Sequence, residues 1–116
     1  GVRYVSELAY RDFIENELPN HEYFGDLIRE KLLYYPTVTR ESFRNEGRIT
    51  ALINSGKLFS DLGLAELDPE HERAMICGSP AMLDDISQLL NERGFQISPG
   101  VGQPGDYVIE RAFVEK

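Results

Sequence analysis

Arg73-Ala74-Met75-Ile76-Cys77 runs directly into Gly78-Ser79-Pro80, and this junction constrains the fold more than any other feature of the chain. A short apolar run ending in glycine reads as a buried strand entering a turn. Serine then proline is a helix start: the hydroxyl accepts from a free amide, and proline at the first helical position loses no hydrogen bond. Met82, Leu83, Ile86, Leu89 and Leu90 supply the apolar stripe, Asp84 and Asp85 lie early in the helix, and Gly94 ends it. Phe95-Gln96-Ile97 reads as the next short strand. Strand, crossover helix and strand at this spacing imply parallel pairing.

The remainder alternates in the same way. Ser6 is expected to cap a helix over 6–17, with Leu8, Phe13, Ile14 and Leu18 near one face, and Leu18-Pro19-Asn20 to stop it. A short helical turn is expected over 23–29, and a strand over 31–39, where aromatic and β-branched residues concentrate. Gly47-Arg48 opens a helix to about Asn54, closed by Ser55-Gly56, and 58–64 reads as another short helical piece. Residues 98–106 form a Gly/Pro-rich loop before a final extended segment over 107–114. The fold class is therefore α/β, a parallel sheet flanked by helices on both faces. Such sheets bind ligands beyond the carboxyl ends of their strands, and Arg3, Arg40 and Gly78 each occupy such an end. Gly1-Val2-Arg3-Tyr4-Val5 reads as the tail of a strand already under way, so the chain is expected to be a fragment.

With 116 residues the chain has room for one domain and one core. Its formal net charge of −8 argues against broad nucleic-acid binding, while leaving room for a local arginine cluster. A single cysteine excludes an intrachain disulfide and fits a cytoplasmic location. Apolar runs such as Leu32-Leu33-Tyr34-Tyr35 are too short to cross a bilayer. Two scattered histidines and one cysteine offer no metal set. Gly100-Val101-Gly102-Gln103-Pro104-Gly105 comes nearest to a phosphate loop, but no helix follows it.

Two constellations could carry chemistry. Arg40 and Arg48 flank a loop between a strand and a helix, and Thr39 adds a hydroxyl. Guanidinium forks suit a phosphate monoester, whereas an NAD(H) site usually offers a carboxylate. The alternative is that both arginines pair with surface acids such as Glu41 and Glu46. Cys77 and Gly78 form the second constellation, where glycine admits a ligand to the backbone near a helix start. A nucleophilic role for Cys77 would need a basic partner, and His21 and His71 lie in polar, loop-like surroundings. A small core residue is the plainer reading of such a cysteine.

Taken together, Val38-Thr39-Arg40-Glu41, Gly47-Arg48-Ile49-Thr50-Ala51-Leu52-Ile53 and Met75-Ile76-Cys77-Gly78-Ser79-Pro80-Ala81-Met82 resemble, in order and spacing, the bacterial ferredoxin (flavodoxin)–NADP⁺ reductases. Gly1-Val2-Arg3 with Glu7-Leu8-Ala9-Tyr10 resembles the second strand and helix of their nucleotide domain, and Ala112-Phe113-Val114-Glu115-Lys116 the carboxyl-terminal extension of one subclass. The resemblance covers essentially the whole chain. It implies a partial, Rossmann-like NADP(H)-binding domain over 1–116, lacking its first strand–helix unit and its FAD-binding β-barrel. It also implies hydride transfer between NADP(H) and FAD in the full-length flavoprotein, with ferredoxin or flavodoxin as electron partner and the fragment alone inactive. Thr39, Arg40 and Arg48 would hold the 2′-phosphate, with Arg3 helping at the phosphates. Cys77 and Gly78 would border the nicotinamide, with Met82 nearby and Cys77 the candidate catalytic residue. Ala112 and Phe113 would lie against FAD. A sheet lacking its first unit exposes an apolar edge, so the fragment is expected to pair with another copy, and a strictly monomeric mass would count against that. Two other readings share these features: a non-catalytic acidic α/β binding module, and an NADH-selective flavin or cytochrome reductase, which the arginine pair disfavours.

Overall fold

The computed structural model describes residues 1–110, which fall into two compact units, Gly1–Leu62 and a second beginning at Gly63. Ala112 and Phe113 lie outside the described residues.

The first unit is organised around Val38, which is fully buried beside Thr37 at 1% exposure. Val38 bridges Val2 on one side and Glu46 on the other, both in parallel. Val2 N donates to Thr37 O at 2.9 Å and Thr39 N to Val2 O at 3.2 Å. Val38 N donates to Asn45 O at 3.1 Å and Gly47 N to Val38 O at 2.8 Å. Three extended segments thus run side by side in one direction, with the strand-like pairing confined to a few residues. The strand expected over 31–39 is shorter for two reasons. Helix α1, Gly25–Lys31, takes up its first residue, and Pro36 has no N–H to give to a ladder.

The helix expected over 6–17 begins late. A 3-10 turn, Val5–Glu7, is held by the Glu7 carboxylate, which accepts from Arg3 N at 3.2 Å and Tyr4 N at 3.0 Å. Leu8 is then extended and Tyr10 takes a positive φ of 60°, so helical structure starts at Arg11 and Ser6 does not cap it. It continues as a π-type turn, Phe13–Glu17, and a 3-10 turn, Leu18–Asn20, ending at Pro19-Asn20 as expected. Helices α2, Ile49–Asn54, and α3, Lys57–Leu62, pack together and bury Leu52 and Phe59.

The second unit keeps the expected strand and helix at its start. The strand expected over 95–97 is reduced to a single bridge at Ile97, and the partner of the first strand is the later segment. Strand β1, Ala74–Cys77, pairs in parallel with β2, Tyr107–Glu110, in the register Ala74↔Tyr107 to Cys77↔Glu110. Ile97 makes an isolated parallel bridge to the other side of Tyr107, so the last strand in sequence lies between the other two segments. Helix α4, Pro80–Glu92, is capped by Ser79, whose hydroxyl accepts from Met82 N at 3.3 Å. It buries Leu83, Ile86, Leu89 and Leu90, each contributing roughly 1.5–3 kcal/mol of apolar burial. Asp84 and Asp85 fall just past its first turn and are exposed. Strand β1 is half-covered, not buried throughout: Ile76 is 8% exposed and Met75 86%. The alternation follows the pleat, because α4 packs on β1 while Met75, Cys77, Val108 and Glu110 share the exposed face.

Candidate functional site

The carboxyl ends of the three extended segments in the first unit carry four of the expected ligand-binding residues. Arg3 follows Val2, Thr39 and Arg40 follow Val38, and Gly47-Arg48 follow Glu46. The backbones of Arg3 and Arg40 are joined directly, Arg40 N donating to Arg3 O at 2.9 Å. Because the three segments are parallel, all four side chains leave the backbone near one end of this small ladder. Gly47 turns the chain there with φ +123°, a conformation that L side chains rarely adopt, and Arg48 occupies the cap position of α2. Helix α2 is only six residues long, so its dipole adds little to the charge of the side chains.

The acids of the loop do not neutralise this pair. Glu41 accepts from Val5 N, and Glu46 Oε1 accepts from Phe43 N at 3.0 Å. Among the described residues, neither Arg40 nor Arg48 has a side-chain hydrogen bond or ion pair. Arg3 differs: its guanidinium pairs with Glu7 at 2.8 Å, and that hydrogen bond is the main cause holding the Glu7 carboxyl below its ordinary range. Thr39 is exposed beside them.

The loop between the arginines is held by contacts that are not legible in the sequence. Asn45 Nδ2 donates to Pro36 O at 2.9 Å. The Phe43 ring lies under two guanidiniums, with Arg11 Cζ at 5.0 Å and Arg44 Cζ at 5.3 Å from its centroid. Glu15 pairs with both cations, Arg11 at 3.4 Å and Arg44 more closely. The available signal was the i,i+4 spacing of Arg11 and Glu15, but their link to Phe43 and Arg44 spans about thirty residues and is set by the fold.

In the second unit, Cys77 ends β1 and is exposed, and Gly78 starts the turn into α4. A Cβ on Gly78 would overlap Met82 Sδ, so the thioether lies directly against the glycine backbone. Cys77, Gly78 and Met82 therefore form one local group. Among the described residues no base is bonded to Cys77. His21 Nδ1 instead accepts from Tyr23 N at 3.0 Å and Phe24 N at 3.2 Å. His71 and Glu70, both exposed, stand with half-buried Asp68 in a cluster whose ligand atoms lie within 4.8 Å of one another, a pattern common on acidic surfaces without a metal.

No family model matches the chain. It is 65% identical over 116 residues to a ferredoxin–NADP reductase of Pseudomonas aeruginosa and 62% identical over 116 residues to one of Azotobacter vinelandii. All of this chain is matched in both cases, against 45% of each relative. A flavodoxin/ferredoxin–NADP reductase of Escherichia coli is 36% identical over 112 residues, covering 95% of this chain and 42% of that protein. The chain thus spans less than half the length of the curated relatives it matches. Among solved structures, a ferredoxin NADP⁺ reductase of Neisseria gonorrhoeae, determined with bound FAD and NADP, superposes with a TM-score of 0.75 at 24% identity. That match covers 96% of this chain and 42% of the other. The fold is accordingly α/β, part of a Rossmann-like domain. Along its whole length, this chain is homologous to a segment of the ferredoxin–NADP reductases.

Proposed function

We propose that residues 1–116 are the NADP(H)-binding part of a ferredoxin (flavodoxin)–NADP⁺ reductase, an oxidoreductase whose FAD-binding β-barrel lies outside this chain. The observation that carries the reading is the pair Arg40 and Arg48, left without carboxylate partners while Glu41 and Glu46 are bonded to backbone amides. Unpaired guanidiniums beside a hydroxyl suit a phosphate monoester, so Arg40, Arg48 and Thr39 hold the 2′-phosphate of NADP(H). Arg3 assists at the phosphates once its bond to Glu7 is shared with the ligand. The non-catalytic module reading requires arginines consumed by surface acids, and these two are not.

When bound, the nicotinamide and flavin supply the hydride chemistry, and the protein binds and orients. Cys77 and Gly78 border the nicotinamide, and Met82, lying on Gly78, limits how closely a ring can approach the backbone there. Cys77 is the residue assigned to the catalytic step, and Ala112 and Phe113 to contact with FAD. Electron exchange is with ferredoxin or flavodoxin in the cytoplasm. The chain by itself is read as catalytically inactive and prone to pair with another copy through exposed apolar residues such as Met75. No described helix is long and apolar enough to cross a membrane.

The test is a titration with 2′-phosphorylated and plain adenine nucleotide, repeated with Arg40→Ala. A preference for the 2′-phosphate that weakens by about 1.5–3 kcal/mol in the variant supports the site. Equal affinities in a folded wild-type protein would refute it.

A further inference from the structure

Phe43 lies in the loop between the two arginines assigned to the 2′-phosphate, and its ring meets a cluster of charges. Two guanidiniums lie over its ring, those of Arg11 and Arg44. Glu15, in the helical segment that starts at Arg11, joins both cations. A carboxylate shared by two guanidiniums that both lie over one ring ties the three together: Arg44 hydrogen-bonds Glu15, and Arg11 Nε lies within ion-pair distance of it. The remaining loop contacts work in the same sense: Glu46 accepts from Phe43 N, Asn45 reaches Pro36 O, and Glu41 accepts from Val5 N. The cluster also decides which arginines remain available. Arg11 and Arg44 are occupied by Glu15, while Arg40 and Arg48 are not.

We propose that Phe43 is a positioning residue for selection of a 2′-phosphorylated nucleotide: held by the guanidiniums of Arg11 and Arg44, which share Glu15, it fixes the loop whose two ends present Arg40 and Arg48. The inference rests on the 2′-phosphate site proposed above. Phe43 touches no ligand in this account, and it acts by setting the separation of the two guanidiniums. Its loss therefore lowers the preference for the phosphomonoester more than the affinity for the nucleotide as such.

The experiment measures dissociation constants of 2′,5′-ADP and 5′-AMP for the intact protein carrying wild-type sequence, Phe43→Ala, Phe43→Leu, Phe43→Tyr and Arg40→Ala. Phe43→Leu keeps apolar bulk without the π face, so it serves if Phe43→Ala does not fold. Removing the ring face is expected to reduce the 2′,5′-ADP preference by about threefold to thirtyfold, the range open to cation–π contacts. Affinity for 5′-AMP should stay unchanged, and Phe43→Tyr should retain the preference. Full preference in both Phe43→Ala and Phe43→Leu, with Arg40→Ala losing it, would overturn the positioning role and leave the phosphate site standing. Full preference in Arg40→Ala would overturn the site, and the positioning role with it.

Discussion

Gly47 shows how one residue ties the backbone to the site. It donates to Val38 O at 2.8 Å, holds φ +123°, and hands the chain to Arg48. A Cβ there has room, with Leu52 Cγ 3.8 Å away, so the cost of substitution lies in the backbone and not in a clash. Gly47→Ala is expected to destabilise the fold by about 1–3 kcal/mol, read as a lower urea midpoint, and to displace Arg48. Tyr35 makes a second residue-level case. Burial, reinforced by its 2.6 Å bond to Asp61, pushes its phenol up to about 12 from 10.0. The stability this adds is complete below pH 10 and is lost as the pH rises through about 12. Asp61 has the opposite sign: hydrogen bonds, first from Lys57 and then from Tyr35, lower its carboxyl. Its contribution is present above the ordinary carboxylate value and fades as the pH falls through the lowered one. Ultraviolet titration should show a tyrosine ionising near pH 12 that Tyr35→Phe removes, and Asp61→Asn should bring it forward.

At the scale of elements, α4 carries the second unit. Leu90 is 2% exposed, so Leu90→Ala is expected to cost ~2–5 kcal/mol in thermal or urea unfolding, through lost burial and an unfilled cavity. This helix was legible in the sequence because every local signal agreed: the Ser79 cap, Pro80 at the first position, the 3.6-residue apolar stripe and Gly94 at its end. The strand at 74–77 and the start of α2 at Arg48 were legible for the same reason. The helix placed at Ser6 is interrupted because the turn that Glu7 caps ends at once, with Leu8 extended and Tyr10 at φ 60° before helical structure resumes at Arg11. The strand placed over 31–39 failed because aromatic and β-branched content indicates a pleated surface but says nothing of the donor missing at Pro36. At the site, residue types and order were readable from the chain. Whether Glu41 and Glu46 would take Arg40 and Arg48 was not, since Glu41 finds its donor at Val5, far away in sequence.

For the whole molecule, charge and local chemistry pull in opposite directions. Twenty acidic residues against twelve basic ones make the surface field repel a nucleotide carrying several phosphates. The proposed binding therefore rests on a short-range constellation, Arg3, Thr39, Arg40 and Arg48, which follow the paired residues Val2, Val38 and Glu46. The chain matches 45% of the length of its Pseudomonas aeruginosa relative, and the nucleotide-binding role proposed for it concerns that segment alone. The most direct test is an amide chemical-shift map of the labelled protein titrated with 2′,5′-ADP and, separately, with 5′-AMP. The difference between the two maps is expected to concentrate at Arg3, Thr39, Arg40, Gly47 and Arg48. A difference map that is flat at those residues, or centred on the Asp68–His71 cluster instead, would contradict it.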